Sequence, residues 1–533
     1  MRHVSLREIV SGGRRRYPWL LATTSLLVAA LLLVPLVAII VQAFQAGWRA
    51  VWVVLDRSFV ATLLWNTVKL AVVVTILCAA IGTGCAWLTE RTALPGRRAW
   101  AVLLIVPFVI PDFVLAWTWT SVLPAVHGYT GAVLVMTLHL YPLVYLPMAA
   151  AFRAADPGQE EAARILGLSK RTAWLRISLR QARTTLLGGC LLVCLALLSY
   201  YGAFENLRYQ TFTTAIFGEI RTQFSPAVAS SLSLVLVALS LLVLGGEGLF
   251  RERGRVQRSG SMAQRAQTPI QLGRTRFMAV AAVATTVGLA LGFPVAVVAY
   301  WMTTGSSSGL PTSVSFWTAM GYTALYSALG ALIATALALP VSLLAIRHPR
   351  RWTATLERST FITQAIPGVV VGLALVYVVS RHLNFLYQSP QLLVLAYALM
   401  FFPLGLVALS SSVARASPRL EEIGRSLGKG PLTVRLTVTA PLLAPGLAAA
   451  FCFLFLSGVT ELTATLLLVP TGVRTLATQF WAFAEESASL GAAAPYAAAM
   501  IAMSAVPAYL LGRWFDQRIV GEPRSSWFQE KMT

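Results

Sequence analysis

Charge is scarce in this chain of 533 residues: 12% of it is Asp, Glu, Lys or Arg, and the acids number only 20. Soluble domains carry roughly a quarter, so a solvated globule is excluded and a lipid environment is expected. Cysteine is scarce too, and all five (Cys78, Cys85, Cys190, Cys194, Cys452) lie inside apolar runs, which excludes an extracytoplasmic disulfide framework. Cys190 and Cys194 stand four apart, but no histidine or third thiol joins them, so small apolar packing is a better reading than a metal pair. The sequence offers no convergent His/Asp cluster of the kind a membrane-embedded enzyme needs. It also has no phosphate loop of the form Gly-x-x-x-x-Gly-Lys-Ser/Thr; Gly428-Lys429-Gly430 comes nearest and lacks the hydroxyl residue and the spacing. No catalytic residue and no metal ligand set is therefore expected.

Apolar length is what the chain has. Runs long enough to cross the roughly 30 Å hydrocarbon core occur at 19–43, 62–88, 100–123, 130–152, 184–202, 226–249, 277–302, 321–346, 361–380, 391–413, 440–469 and 495–513. Several are near-continuous Leu, Val and Ala without alternation, which favours helices over a barrel. The first run follows Arg14, Arg15 and Arg16 but is too long for a signal peptide and lacks a small-residue cleavage site, so it reads as a retained helix. The expectation is an all-α polytopic membrane protein with two tandem six-helix halves.

The formal charge of +22 follows this topology. Of the 42 Lys and Arg, 35 fall in the N-terminus and in the segments 89–99, 152–183, 250–276, 347–358, 415–435 and 512–533, which twelve crossings put on one side. The positive-inside rule makes that side, with both termini, cytoplasmic. A nucleic-acid surface is not favoured, because no aromatic-basic interleaving on a polar domain accompanies the charge.

The chain repeats itself. "EEAARILGLSKRTAWLRIS" from Glu160 returns as "EEIGRSLGKGPLTVRLTVTAP" from Glu421, with Gly167 and Gly428 261 residues apart. Weaker echoes pair "NTVKLAVVV" with "YTALYSALG", Pro111 with Pro367, and "QTFTTAIF" with "RTLATQFW". A period this long is a duplicated domain, not a solenoid unit. The expected division is 1–61 (tail, first helix, outer loop), 62–246 (first core domain), 247–276 (basic, Ser/Gln-rich cytoplasmic linker), 277–318 (seventh helix and outer loop), 319–511 (second core domain) and 512–533 (tail). Six crossings per half give both copies one orientation, with an axis along the membrane normal. Helices one and seven look like additions before a five-helix core.

The repeated polar segments carry the functional signal. Asp156-Pro157 opens one short helix, with Glu160 and Glu161 complementing its N-terminus. Ala162, Ala163, Ile165 and Leu166 give it an apolar face, and Gly167 ends it. Ser417-Pro418 opens the other; Glu421 and Glu422 follow, Leu420, Ile423 and Leu427 fall at i, i+3 and i+7, and Gly428 ends it. Helices this short are not stable alone, so either the protein's own helix ends or a partner must cover them. Two copies on one side favour a partner with two similar subunits.

These segments resemble the EAA loop of binding-protein-dependent ABC importer permeases: Glu-Ala-Ala, three residues, Gly, nine residues, Ile-x-Leu-Pro. The first copy gives Glu161, Ala162, Ala163, Gly167, Ile177 and Leu179, with Arg180 in place of Pro. The second gives Glu422, Ile423, Gly424, Gly428, Val438, Ala440 and Pro441. With flanking helices the resemblance covers about 62–246 and 319–511. It implies a type I importer fold in a bacterial inner membrane, with the short helices seated on two copies of a cytoplasmic ATPase. ATP and Mg would belong to that ATPase, no cofactor would be held by this chain, and an extracytoplasmic solute-binding protein would deliver the solute. The fused twelve-helix form and the phrases "ELTATLLLVPTGVRTLATQFW" and "YQTFTTAIF" are most similar to ferric-iron permeases; thiamine and aminoethylphosphonate permeases are the near alternatives.

Buried acids are the remaining candidates. Charge in a membrane interior costs at least about 2.5–3.5 kcal/mol at a helix centre, yet Asp112 and Glu461 sit within apolar runs, opposite Gly368 and Tyr200 in the repeat. They read either as a pathway for an asymmetric or cationic solute or as helix locks. Glu205, near the outer mouth, reads as pathway or loop, and Arg474, Glu485 and Glu486 as a binding-protein surface or a solvated loop. Prolines 107, 111, 142, 147, 367 and 403 favour ordinary kinking over broken helices. An ion-coupled secondary transporter also has two six-helix halves, but "ERTALPGRR" lacks that superfamily's signature and the repeated segments would go unexplained.

Overall fold

The computed structural model describes residues 19–155, 157–222, 225–251, 269–304, 314–486 and 489–519. Arg14 to Arg16, Asp156, most of the 247–276 linker and the tail beyond 519 lie outside the described residues.

The first half runs α1 (Trp19–Ala46), α2 (Ser58–Arg91), α3 (Arg97–Leu103), α4 (Asp112–Val122), α5 (Gly128–Leu140), α6 (Pro142–Ala154), α7 (Pro157–Ile165), α8 (Arg183–Ser199), α9 (Gly202–Asn206), α10 (Phe212–Arg221) and α11 (Pro226–Arg251). The second runs α12 (Arg276–Val287), α13 (Phe293–Thr304), α14 (Val314–Arg347), α15 (Arg351–Phe361), α16 (Gly368–His382), α17 (Pro390–Arg415), α18 (Pro418–Ser426), α19 (Ala440–Val459), α20 (Thr463–Leu468), α21 (Leu476–Trp481) and α22 (Leu490–Ile519). Among the described residues nine helices are long and apolar enough to cross a bilayer, and twelve if each of three bent pairs is one span.

Two of the bent pairs correct the expectation of ordinary proline kinks. The chain turns by 91° between Arg97–Val109 and α4, and by 101° between Arg351–Ala365 and α16. A 3-10 turn precedes each bend; Ile110 and Ile366 then go extended, and Pro111 and Pro367 stand at the N-caps of α4 and α16. A proline disfavours helical backbone in the residue before it and has no N–H to donate. Pro142, Pro147 and Pro403 do pass without a break: Tyr141 before Pro142 stays helical, and Pro147 and Pro403 lie inside helices, whereas Pro107 stands in the 3-10 turn before the first bend. The third bend, 57°, precedes α8.

One buried cluster runs through both halves. At the seam Phe480 of α21 packs on Phe113 and Trp117 of α4, with centroids 5.4 and 5.5 Å apart. Helices one and seven do not simply precede their own cores. α1 lies against α14 and α16 of the other half, where Gln45 accepts from the Tyr377 hydroxyl (2.6 Å) and Arg381 (2.9 Å). The seventh helix reaches back to α4: the Phe293 ring packs tilted on Trp119 with centroids 4.2 Å apart, and the Trp301 indole N–H donates to Ser121 Oγ at 3.2 Å. Within a half, small residues allow close approach. A side chain at Gly82 would meet the α6 backbone, with Tyr145 N at 2.9 Å and Tyr141 O at 3.0 Å.

Candidate functional site: two tethered tips and a central carboxylate pair

The short helices α7 and α18 hang from the same side of the bundle, each tied by the same three-residue device. Arg91, the last residue of α2, donates to Glu160 Oε1, and the Ser178 hydroxyl donates to that same oxygen. In the second copy Arg347, the last residue of α14, lies 2.8 Å from Glu421 Oε1, and Thr439 Oγ1 donates to that atom at 2.8 Å. Arg425 adds a 3.4 Å contact to Glu421 Oε2. Arg91 and Arg347 are 256 residues apart, the offset of Pro111 and Pro367, while Glu160/Glu421 and Ser178/Thr439 keep the 261 offset. Ser178 and Thr439 both close five-residue π-helical segments. The tether fixes each tip to the C-terminal end of its half's first core helix and to the stretch leading into the next.

Glu160 and Glu421 are thus more than helix-dipole complements, and sequence reasoning missed Arg91 and Arg347. Aligning the helix ends at the 256-residue offset would have exposed the pair. Glu161 and Glu422 are exposed. Ala163 is buried, as is Gly424, where a side chain would meet Val434 at 3.1 Å. The residue equivalent to Val434 is the smaller, buried Ala173. The second copy's Gly424 in place of Ala is thus matched by a larger neighbour, which accounts for its departure from the EAA pattern.

Gly167 and Gly428 have φ of 89° and 79°. Leu168 N donates to Ala163 O (3.1 Å) and Lys429 N to Gly424 O (3.3 Å), the long bonds of a Schellman stop. An added Cβ would meet nothing at either glycine, so only the backbone conformation demands it. Valine at both positions is expected to leave the chain in the membrane and to lower transport per ATP hydrolysed, with asparagine milder because it tolerates this region. Paired uptake and ATPase assays on reconstituted transporter check the ranking.

The apolar faces of both tips are uncovered. Ile165 and Leu166 are 86% and 85% exposed, and Ile423 and Leu427 are 54% and 74% exposed. Packing against the protein's own helix ends does not account for them.

Asp112 and Glu461 come together at the centre. Asp112 opens α4 and accepts from the Ala203 N–H at 3.2 Å; Glu461, in the break between α19 and α20, accepts from the Ala464 N–H at 2.9 Å. Ala203 and Ala464 are repeat-mates, so both halves satisfy the same buried amide with a carboxylate taken from different positions. Gly368, the mate of Asp112, faces the same spot: a Cβ there would lie 2.8 Å from Met400 Cε and in ordinary contact, 3.4 Å, with Glu461 Oε1. Tyr200, the mate of Glu461, shares a 3.2 Å hydrogen bond with His139 Nε2 and stands within Coulombic reach of both acids, as they do of each other. No group of three His, Cys, Asp or Glu gathers among the described residues.

Glu205 does not join that pair. It lies in α9 near Glu485, whose carboxyl is raised above its ordinary range by burial first and then by the like charge of Glu205, with Arg208 and His127 pulling it back. Asn206 bridges the halves there, donating to Glu485 Oε1 at 2.6 Å and accepting from Thr120 Oγ1 at 2.7 Å. Arg474 is exposed nearby on the loop before α21, and the Glu486 side chain lies outside the described residues.

Two like-oriented helical halves, broken at their centre and carrying paired tips on one face, define a polytopic permease. The family model for binding-protein-dependent transport system inner membrane components matches residues 338–521. The chain is 34% identical to an Fe(3+)-transport system permease protein of Haemophilus influenzae, over 94% of this chain and 99% of that one. It is 22% identical to a ferric transport system permease protein of Actinobacillus pleuropneumoniae, over 94% and 77% respectively. A sulfate transport system permease protein of Salmonella typhimurium is 28% identical over 45% of this chain and 93% of its own. The chain belongs to the binding-protein-dependent transport system inner membrane components. It is a multi-pass membrane protein and the permease of an ATP-binding cassette importer, a class that works with an ATPase and a solute-binding protein.

Proposed function

We propose that the chain carries iron(III) across the inner membrane, coupled through α7 and α18 to two copies of a separate cytoplasmic ATPase. The carrying observation is the pair of exposed apolar tips: each presents Glu161 or Glu422 beside uncovered aliphatic residues, a surface that fits a groove on each of two like subunits. Residues Glu161, Ala162, Ala163, Gly167, Glu422, Ile423, Gly424 and Gly428 form these docking segments, within core domains at 62–246 and 319–511. The basic bias of the tip side supports a cytoplasmic placement with both termini there. ATP and Mg then belong to the ATPase, and the outer loops around Glu205, Arg474 and Glu485 receive the binding protein.

Iron is supported by two relatives named for ferric transport that align along nearly the whole chain. Asp112 and Glu461 suit a hard cation and would repel sulfate, the solute named for relatives that match half the chain. Deleting the gene is expected to abolish uptake of radiolabelled ferric iron and to leave thiamine uptake intact, with the plasmid-borne gene restoring it. Unchanged iron uptake in the deletion strain would remove the iron reading.

A further inference from the structure

A groove of about 440 Å³ opens in the membrane-facing wall where the first half meets the exchanged seventh helix. Val73, Leu77 and Ile81 of α2 line it with Val133 of α5, Thr286 of α12, and Leu289 in the π-helical segment that follows. The three α2 residues fall at i, i+4 and i+8, a stripe about 12 Å long. One turn further along the same stripe stands Lys69, its ammonium 4.4 Å from the centroid of Tyr129, which also lines the groove. No carboxylate pairs with Lys69 among the ion pairs of the described residues.

Depth places this lysine. Arg91 ends α2 on the side of the tips, and 22 residues of helix separate it from Lys69, about 33 Å. The hydrocarbon core is about 30 Å thick, so with Arg91 at one headgroup layer Lys69 lies at the other. Its repeat-mate is Leu325, so the charge is no part of the duplicated scaffold. A lone ammonium at the headgroup layer above an apolar slot matches a phosphate carrying a hydrocarbon chain.

We propose that this groove holds an anionic phospholipid, with its phosphate on Lys69 and one acyl chain along Val73, Leu77 and Ile81. The chain would touch α2 and α5 of the first half and the seventh helix of the second, so the lipid wedges between the halves. This site is independent of which solute is carried.

The transporter, purified with its ATPase in mild detergent, is incubated with dioleoyl-phosphatidylglycerol or dioleoyl-phosphatidylcholine and examined by native mass spectrometry. The wild type is expected to retain phosphatidylglycerol in preference to phosphatidylcholine. Lys69→Gln should retain about fivefold less phosphatidylglycerol, the factor one interfacial lysine contributes on an anionic lipid, and Lys69→Arg should keep it. Leu77→Trp fills the slot, leaves Lys69 in place and should also lose the lipid. Undiminished retention in Lys69→Gln or in Leu77→Trp overturns the proposal. So does equal retention of the two lipids by the wild type, or displacement of the lipid by inorganic phosphate.

Discussion

With glutamine at both Glu160 and Glu421, ATP hydrolysis by the assembled transporter is expected to continue while solute uptake falls more than tenfold. The substitutions strip the carboxylate from Arg91, which is buried, and from Arg347, which is partly buried; breaking a fully buried pair from one side costs about 3–5 kcal/mol, an upper bound for the second copy. α7 and α18 are nine residues each and expose much of their apolar surface. The arginine pair is the charged tie of each tip to its first core helix, so the loss falls on the joint and not on the core. Reconstituted transporter assayed for uptake and phosphate release from the same vesicles measures the ratio. Reversing the first pair, Arg91→Glu with Glu160→Arg, should recover part of the coupling, which a merely destabilised protein would not do. Uptake and hydrolysis falling together in the double glutamine variant would show that the tether serves folding alone.

Amides at the centre separate two roles of the buried acids. Asn at 112 and Gln at 461 keep an oxygen that can accept from the Ala203 and Ala464 N–H groups while removing the charge. Asp112→Asn with Glu461→Gln is therefore expected to preserve melting temperature and ATPase coupling and to lower cation uptake at least tenfold. Asp112→Ala leaves the Ala203 amide unsatisfied, a cost of about 1–3 kcal/mol, and should lower the melting temperature as well. Uptake at wild-type level in the double amide variant would make the pair a helix lock and remove it from the pathway.

Hydropathy and the internal echo were sufficient to read the helical class, the duplication and the two tips. The breaks were not legible, because Pro111 and Pro367 look like Pro142 and Pro403 in the sequence. What separates them is the backbone of the preceding residue: extended at Ile110 and Ile366, helical at Tyr141. The partner of Asp112 is an amide 91 residues away, and no local pattern encodes it. Glu160 was legible as a first-turn acid, but its second role was not, since its arginine lies in another helix. Hydropathy also carries no direction, so α1 could not be seen to lean on the opposite half.

That crossing of α1 and the seventh helix means neither copy is a self-sufficient fold. Each lends an arm to its sibling, so the duplicated gene product is one interlocked body instead of two beads on a string. Parting the halves would strip α1 from α14 and α16 and the seventh helix from α4.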